Sequence, residues 1–333
     1  MNTSDVQAML FNHVRARLPE HLSLVDEVAE LLNISNDSAY RRIRGEKTIA
    51  FDELRVICNK YHISLDQLLL IQTNTVIFAG NNVDTASFGF NEYLNDVAHN
   101  LELFLSLPKA RLYYYNKDIP IFHFMPFPEL RAFKFFFWKR TLMGYPELAK
   151  QQFTGDETDE KSSELALKII RLYNQINSTE IWNEENVHSS IRQIEFYRQS
   201  NVFADKYILK KVYEQLDELL NHLELQAEAG KKFSYGHQPG TNAADYDIFV
   251  NECLIGDNTI FVDSDEKRQI TCLNHNGLNF TSTQDQSFCD YTFRNLQNIM
   301  RKSAHISRVG EKERTMFFNT LHQKIRSKIS DIS

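Results

Sequence analysis

Residues 23–47 read SLVDEVAELLNISNDSAYRRIRGEK, and the fold of the N-terminal region follows from how this stretch is parsed. Ser23 begins a Ser-x-x-Asp26 start signal, in which a short polar side chain can take up a free backbone N–H of the first helical turn. Val25, Val28, Ala29 and Leu32 then recur at helical spacing and form one apolar stripe. Asn33 interrupts that helix; its side chain tolerates the left-handed backbone that a tight turn needs. Ile34 is placed inward, and Ser35 caps a third helix running from Asn36 to about Arg44. Gly45 supplies its stop.

The pattern extends in both directions. Upstream, Val6, Met9, Leu10 and Val14 line one helix face, and Pro19 ends that helix. Downstream, two short helices are expected at Phe51–Tyr61 and Leu65–Leu70, the last opened by a Ser64-Leu-Asp-Gln67 capping box. Residues 1–72 are therefore expected to form an all-α domain of five short helices.

Ala29 in helix two, the turn at Asn33, the stretch Ser38-Ala-Tyr-Arg-Arg-Ile-Arg-Gly-Glu-Lys47 and the ending His62-Ile-Ser-Leu-Asp-Gln-Leu-Leu69 resemble the Cro/C1-type, lambda-repressor-like helix-turn-helix family. The similarity covers roughly residues 5–71. Two positions depart from it: Asn33 stands where a turn glycine is usual, and Arg42 stands where an apolar anchor is common, with Ile43 one place late. The resemblance implies a DNA-binding regulator whose third helix enters the major groove, where Arg grips guanine and Asn grips adenine by paired hydrogen bonds. On that reading Asn36, Asp37, Tyr40, Arg41 and Arg44 face the bases, with Ser35 at the start of the helix. Arg42 and Lys47 are expected at phosphates, contacts that fix register without reading sequence. The plainer alternative is that Tyr40-Arg-Arg-Ile-Arg44 is a solvated helix face.

Charge bounds this reading. The chain of 333 residues carries a formal net charge of −7, and residues 1–72 hold eight Lys/Arg against ten Asp/Glu, a net of −2. Attraction to phosphates must then come from a local patch rather than from the summed field. The hydrophobic fraction of 42% is that of an ordinary globular protein, enough for a core in each of about two domains. Cys58, Cys253, Cys272 and Cys289 lie far apart with no Cys-x-x-Cys pair, so buried reduced thiols are expected rather than disulfides or zinc. No secretion signal or membrane-length apolar run is visible, and a cytoplasmic location is expected.

Residues 76–333 read as a larger α+β domain with a mixed or antiparallel sheet, with internal breaks near 153–163 and 230–244. Helices are expected at 84–107, 128–143, 162–176, 185–199, 205–228, 284–302 and 310–329, the sixth opened by a Thr283-x-x-Gln286 capping box. Residues 110–116 and 119–125 read as a hairpin turning at Asn116-Lys117-Asp118. Further strands are expected at Tyr246–Leu254, Thr259–Asp263, Gln269–Asn274 and Leu278–Ser282.

Function in this part is less determined. Residues 111–138 hold eleven aromatics, which seal a core, wall a pocket for an apolar or aromatic effector oriented by His123, Arg131 and Lys134, or stack the bases of a single strand, the last disfavoured by the scarcity of Lys/Arg on the strands. Leu209, Val212, Leu216, Leu219 and Leu223 form a seam suited to the core or to a homodimer contact. No phosphate-binding Gly loop, nucleophile elbow or His-Glu-x-x-His motif is present. His222, His237 and His275 lie in unrelated segments, and Asp156-Glu-Thr-Asp-Glu160 reads as a solvated loop. The expectation is thus a homodimeric repressor-type regulator of double-stranded DNA, with no catalytic residue, metal or cofactor and a possible small-molecule effector. The alternatives are a DNA-binding module fused to an enzyme or pseudo-enzyme, and a phage-type repressor whose body only oligomerises.

Overall fold

A computed structural model describes residues 3–15, 18–19, 22–61, 63, 65–68, 75–80, 89–156, 159–265, 268–275 and 277–332. The chain divides into two compact units, Met1–Val76 and Ile77–Ser333. Both 153–163 and 230–244, expected as breaks, lie inside the second unit.

In the first unit the helices are α1 (Thr3–Arg15), α2 (Leu24–Leu32), α3 (Asn36–Ile43), α4 (Phe51–Tyr61) and the single turn α5 (Leu65–Leu68). Their apolar stripes meet in one core, with Leu10, Val14, Val28, Ala39 and Ile57 almost fully buried. The expected capping box at Ser64 lies outside the described residues.

The second unit is an α+β fold. In chain order it comprises α6 (Phe90–Ser106), β1 (Arg111–Tyr115), α7 (Pro128–Phe137), α8 (Glu160–Tyr173), β2 (Asn177–Trp182), α9 (Glu185–Gln199), α10 (Lys206–Ala229) and β3 (Tyr246–Val250). There follow β4 (Thr259–Asp263), β5 (Ile270–His275), β6 (Asn279–Thr283), α11 (Gln286–Arg301), β7 (Ala304–His305) and α12 (Glu311–Ser330). Seven strands form one mixed sheet in the order β6-β5-β4-β1-β2-β3-β7. The β1–β2 and β2–β3 pairs are parallel and the others antiparallel. Parallel neighbours need a crossover, and α7–α8 and α9–α10 supply the two. Leu112, Trp182, Tyr246, Ile248 and Val262 point from the sheet into the large helical core, whereas Tyr115, Ile181 and Phe261 pack with Cys289 and Leu296 of α11 on the opposite face.

Four expectations are corrected here. The proposed hairpin does not exist: β1 pairs with β2 and β4, and Ile121–Phe124 is a 3-10 turn. Pro120 lacks an N–H and holds a fixed φ, which starts a tight turn and cannot serve an inner strand. Strand β2 was not anticipated, because Asn177-Ser-Thr-Glu-Ile-Trp182 has no apolar alternation although most of it is buried. The helix expected at 128–143 changes at Trp138 into a π-helical turn ending at Leu142. Finally, Asp285 rather than Thr283 caps α11, accepting from Phe288 N at 2.9 Å, while the Thr283 hydroxyl accepts from Asp285 N. Among the cysteines, Cys253 is exposed and the other three are buried. No helix among the described residues is long and apolar enough to cross a membrane.

Candidate functional site

The α2–α3 corner is built by three local devices. Ser23 caps α2 and Ser35 caps α3, each side chain accepting from the backbone N–H three residues on. Between them Asn33 adopts φ 52° and ψ 52°, the left-handed conformation, and Ile34 N donates to Ala29 O at 2.9 Å. Ala29 and Ala39 are both buried, so small side chains sit where the two helices pack.

This corner leaves one side of α3 in solvent. Ser35, Asn36, Asp37, Tyr40, Arg41, Arg44 and Lys47 are all exposed, and Ile43 packs partly against the core. Arg42 is placed otherwise than expected. It is 5% exposed; its Nε and Nη2 donate to the two carboxylate oxygens of Glu53 at 3.0 and 2.6 Å, and its Nη1 donates to Ser38 O at 3.0 Å. A guanidinium so engaged is a strut between α3 and α4, not a phosphate contact. The hydrogen bond from Arg42 holds the Glu53 carboxyl below its ordinary pKa range, and burial only partly opposes it. Arg42 and Glu53 thus join α3 to α4 by a two-point ion pair.

Several exposed side chains are already engaged. Asn36 donates to Asp26 of α2 at 2.8 Å, and Arg44 lies over the Tyr40 ring at 5.5 Å with Glu46 3.5 Å from its Nε. Behind α3, Gln7 of α1 donates to Arg42 O and Lys47 O at 2.6 and 2.8 Å and accepts from Ile49 N. Gln7 clasps the loop leaving α3. Sequence reasoning missed it, and the available signal was a glutamine one residue from the apolar stripe of α1.

In the body, the aromatic segment fills a core. Phe133 stacks on Phe203 at 5.5 Å and meets Phe153 and Tyr197 edge-on, and Phe135 packs on Phe90 and Trp138. The leucine seam of α10 is likewise buried within the unit, so it offers no surface for a dimer. Arg131 donates to Met125 O at 2.7 Å. Lys134 donates to Gln193 at 2.6 Å between the Phe124 and Trp138 rings, and burial pushes its amine down to about 8.

His123 is the exception among the three expected ligand-orienting residues. With Pro126, Phe127, His222 and Gln226 it lines a small pocket that has room for about one water molecule. Behind it lies Glu180 of β2, fully buried, which accepts from His123 Nε2 at 2.9 Å, from Trp182 Nε1 at 2.6 Å and from the Tyr173 hydroxyl. Burial alone would raise the Glu180 pKa. The charge and hydrogen bond of His123, with Tyr173 and the buried Lys232, outweigh it and pull the group down to about 2. Lys232 donates to Tyr173 O and Ser178 Oγ and lies over the Tyr173 ring. Glu180, Tyr173 and Lys232 carry no motif, and only their convergence on one face of β2 reveals them. His237 and His275 do not line this pocket.

Searches against family profiles, curated proteins and solved structures find no match to the chain.

Proposed function

We propose that the chain is a sequence-specific DNA-binding regulator that reads double-stranded DNA with α3 and acts as a cytoplasmic homodimer. The observation that carries this reading is the exposed row Asn36, Asp37, Tyr40, Arg41 and Arg44, presented by a helix that sits on α2 through Ala29 and Ala39. A helix of that width enters the major groove, and Arg and Asn are the side chains that form paired bonds to guanine and adenine. The resemblance of residues 5–71 to Cro/C1-type regulators adds to it. A repressor would act by occupying its operator.

Selection of bound sequences from a randomised duplex pool tests the reading. The expected result is a near-palindrome whose half-sites are about one helical turn, roughly 34 Å, apart, since one recognition helix covers few bases. Enrichment of no sequence, or a monomer by light scattering at micromolar concentration with that duplex present, overturns it.

A further inference from the structure

We infer that Gln7 of α1 is a positioning residue for a phosphate contact made by Lys47, a role that rests on the DNA reading given above. Lys47 belongs to the turn that leaves α3. Gly45 opens this turn at φ +78°, and its N–H donates to Arg42 O at 3.0 Å. Glu46 N and Lys47 N then both donate to Arg41 O, at 2.8 and 3.1 Å. These bonds fix the amino side of Lys47. They leave the Lys47 carbonyl and the Ile49 N–H without a partner from the turn itself.

Gln7 supplies both partners. Its amide nitrogen donates to Lys47 O at 2.8 Å and to Arg42 O at 2.6 Å, and its amide oxygen accepts from Ile49 N at 3.2 Å. One side chain, 7% exposed, spends both of its hydrogens and its oxygen on a single turn. Lys47 is thus held at its N–H by α3 and at its carbonyl by α1. Arg42, whose carbonyl shares the clasp, is tied by its side chain to Glu53 of α4. Three helices converge on the point from which the Lys47 side chain leaves.

That side chain is exposed. Among the described residues its amine forms no hydrogen bond, whereas the neighbouring Arg44 is engaged by Tyr40 and Glu46. Lysine is a point charge on a flexible stem, and a fixed backbone lowers the ordering cost of bringing its amine to a phosphate. Packing alone needs only an apolar side chain of the length of Gln7. Three polar bonds to one turn meet a demand for position.

The test measures binding of the full chain to the selected duplex and to a scrambled one over a range of salt. A lost phosphate contact lowers the slope of log affinity against log salt by about one and weakens all sequences alike. Lys47→Ala and Gln7→Met are each expected to lose that one contact on both duplexes, with the ratio of the two affinities unchanged. The double variant is expected to lose no more than either. Gln7→Asn, too short to span the clasp, replaces Gln7→Met should the latter not fold. Without DNA, exchange of the Ile49 amide hydrogen is expected to quicken by about tenfold or more in the Gln7 variant. A parental slope in either single variant, or a double variant that loses two contacts, overturns the role of Gln7 while the DNA reading stands. So does a lower affinity ratio for the Gln7 variant, which would mean damage to α3 itself, or unchanged Ile49 exchange. A parent chain that binds no duplex overturns both.

Discussion

In the N-terminal unit the buried polar side chains among the described residues are Gln7 and Arg42, and both are spent on holding the loop and helix next to α3. In the body Glu180, Lys134, Lys232, Arg131, Arg314, His123, His222 and His322 are all buried. Apart from Arg42, the charged residues described in the first region are not buried; the second region holds a polar cluster inside its core. A buried charge is costly unless its partners are built around it, and removing one partner leaves the rest uncompensated. The first unit thus pairs its one buried charge, Arg42, with Glu53, and the second buries a network of mutually bonded polar groups.

The sharpest way to break that contrast is Glu180→Gln. It leaves the His123, Tyr173 and Trp182 donors facing a neutral amide, and a loss of about 3–5 kcal/mol in body stability is expected. Denaturant titration with separate probes for the two units checks it; a loss below 1 kcal/mol would reduce Glu180 to an incidental core residue.

Acid should separate the units next. His222 has a folded pKa of about 4 against an ordinary 6.5, so its neutral form is favoured in the fold. Its stabilisation is present above pH 6.5 and is lost as pH falls through 4, about 3 kcal/mol in all. Glu53 in the N-terminal unit, with a lowered pKa, gives up stability only below its ordinary 4.5. The body should therefore weaken first between pH 6.5 and 4, and His222→Leu should flatten that slope. Thermal melts across the window decide the matter.

Within the first unit, Arg42→Ala should cost ~2–3 kcal/mol of stability through the orphaned Glu53. Arg41→Ala and Arg44→Ala should leave the melting temperature unchanged and cost ~1–3 kcal/mol of affinity for the selected duplex. Equal affinity in both exposed variants removes the assignment of α3. The smallest effect is expected at Asn33→Gly, a few tenths of a kcal/mol in melting free energy, because both residues accept the left-handed turn. A large loss there would mean that the asparagine side chain has an unseen structural duty.

What could be read from residues alone follows the same division. The N-terminal helices are written in local code: caps at Ser23 and Ser35, a turn at Asn33 and apolar stripes of period 3.6. Arg42 looked like surface because its partner Glu53 belongs to another helix. In the body the strands β3, β4, β5 and β6 were visible as short β-type runs, but β2 was not. A strand that buries Ser178, Thr179 and Glu180 has no apolar signature, since its polar groups are satisfied by residues far away in sequence. His123 was legible as a candidate, but its carboxylate partner was not.

The pairing of β1 has a consequence for how the protein is made. Tyr115 is registered opposite Ile181 on one side and Thr259 on the other. At a synthesis rate of 5–20 residues per second, roughly 7–30 s pass between the appearance of β1 and that of its second neighbour. During that interval Arg111-Leu-Tyr-Tyr-Tyr115 is a nascent strand with an open edge, rich in aromatic side chains. The helices at the N-terminus, whose contacts are local, can close while it waits. The most vulnerable moment of this chain is thus spent at the ribosome, and heat or crowding in the cell would act there before either finished unit is at risk.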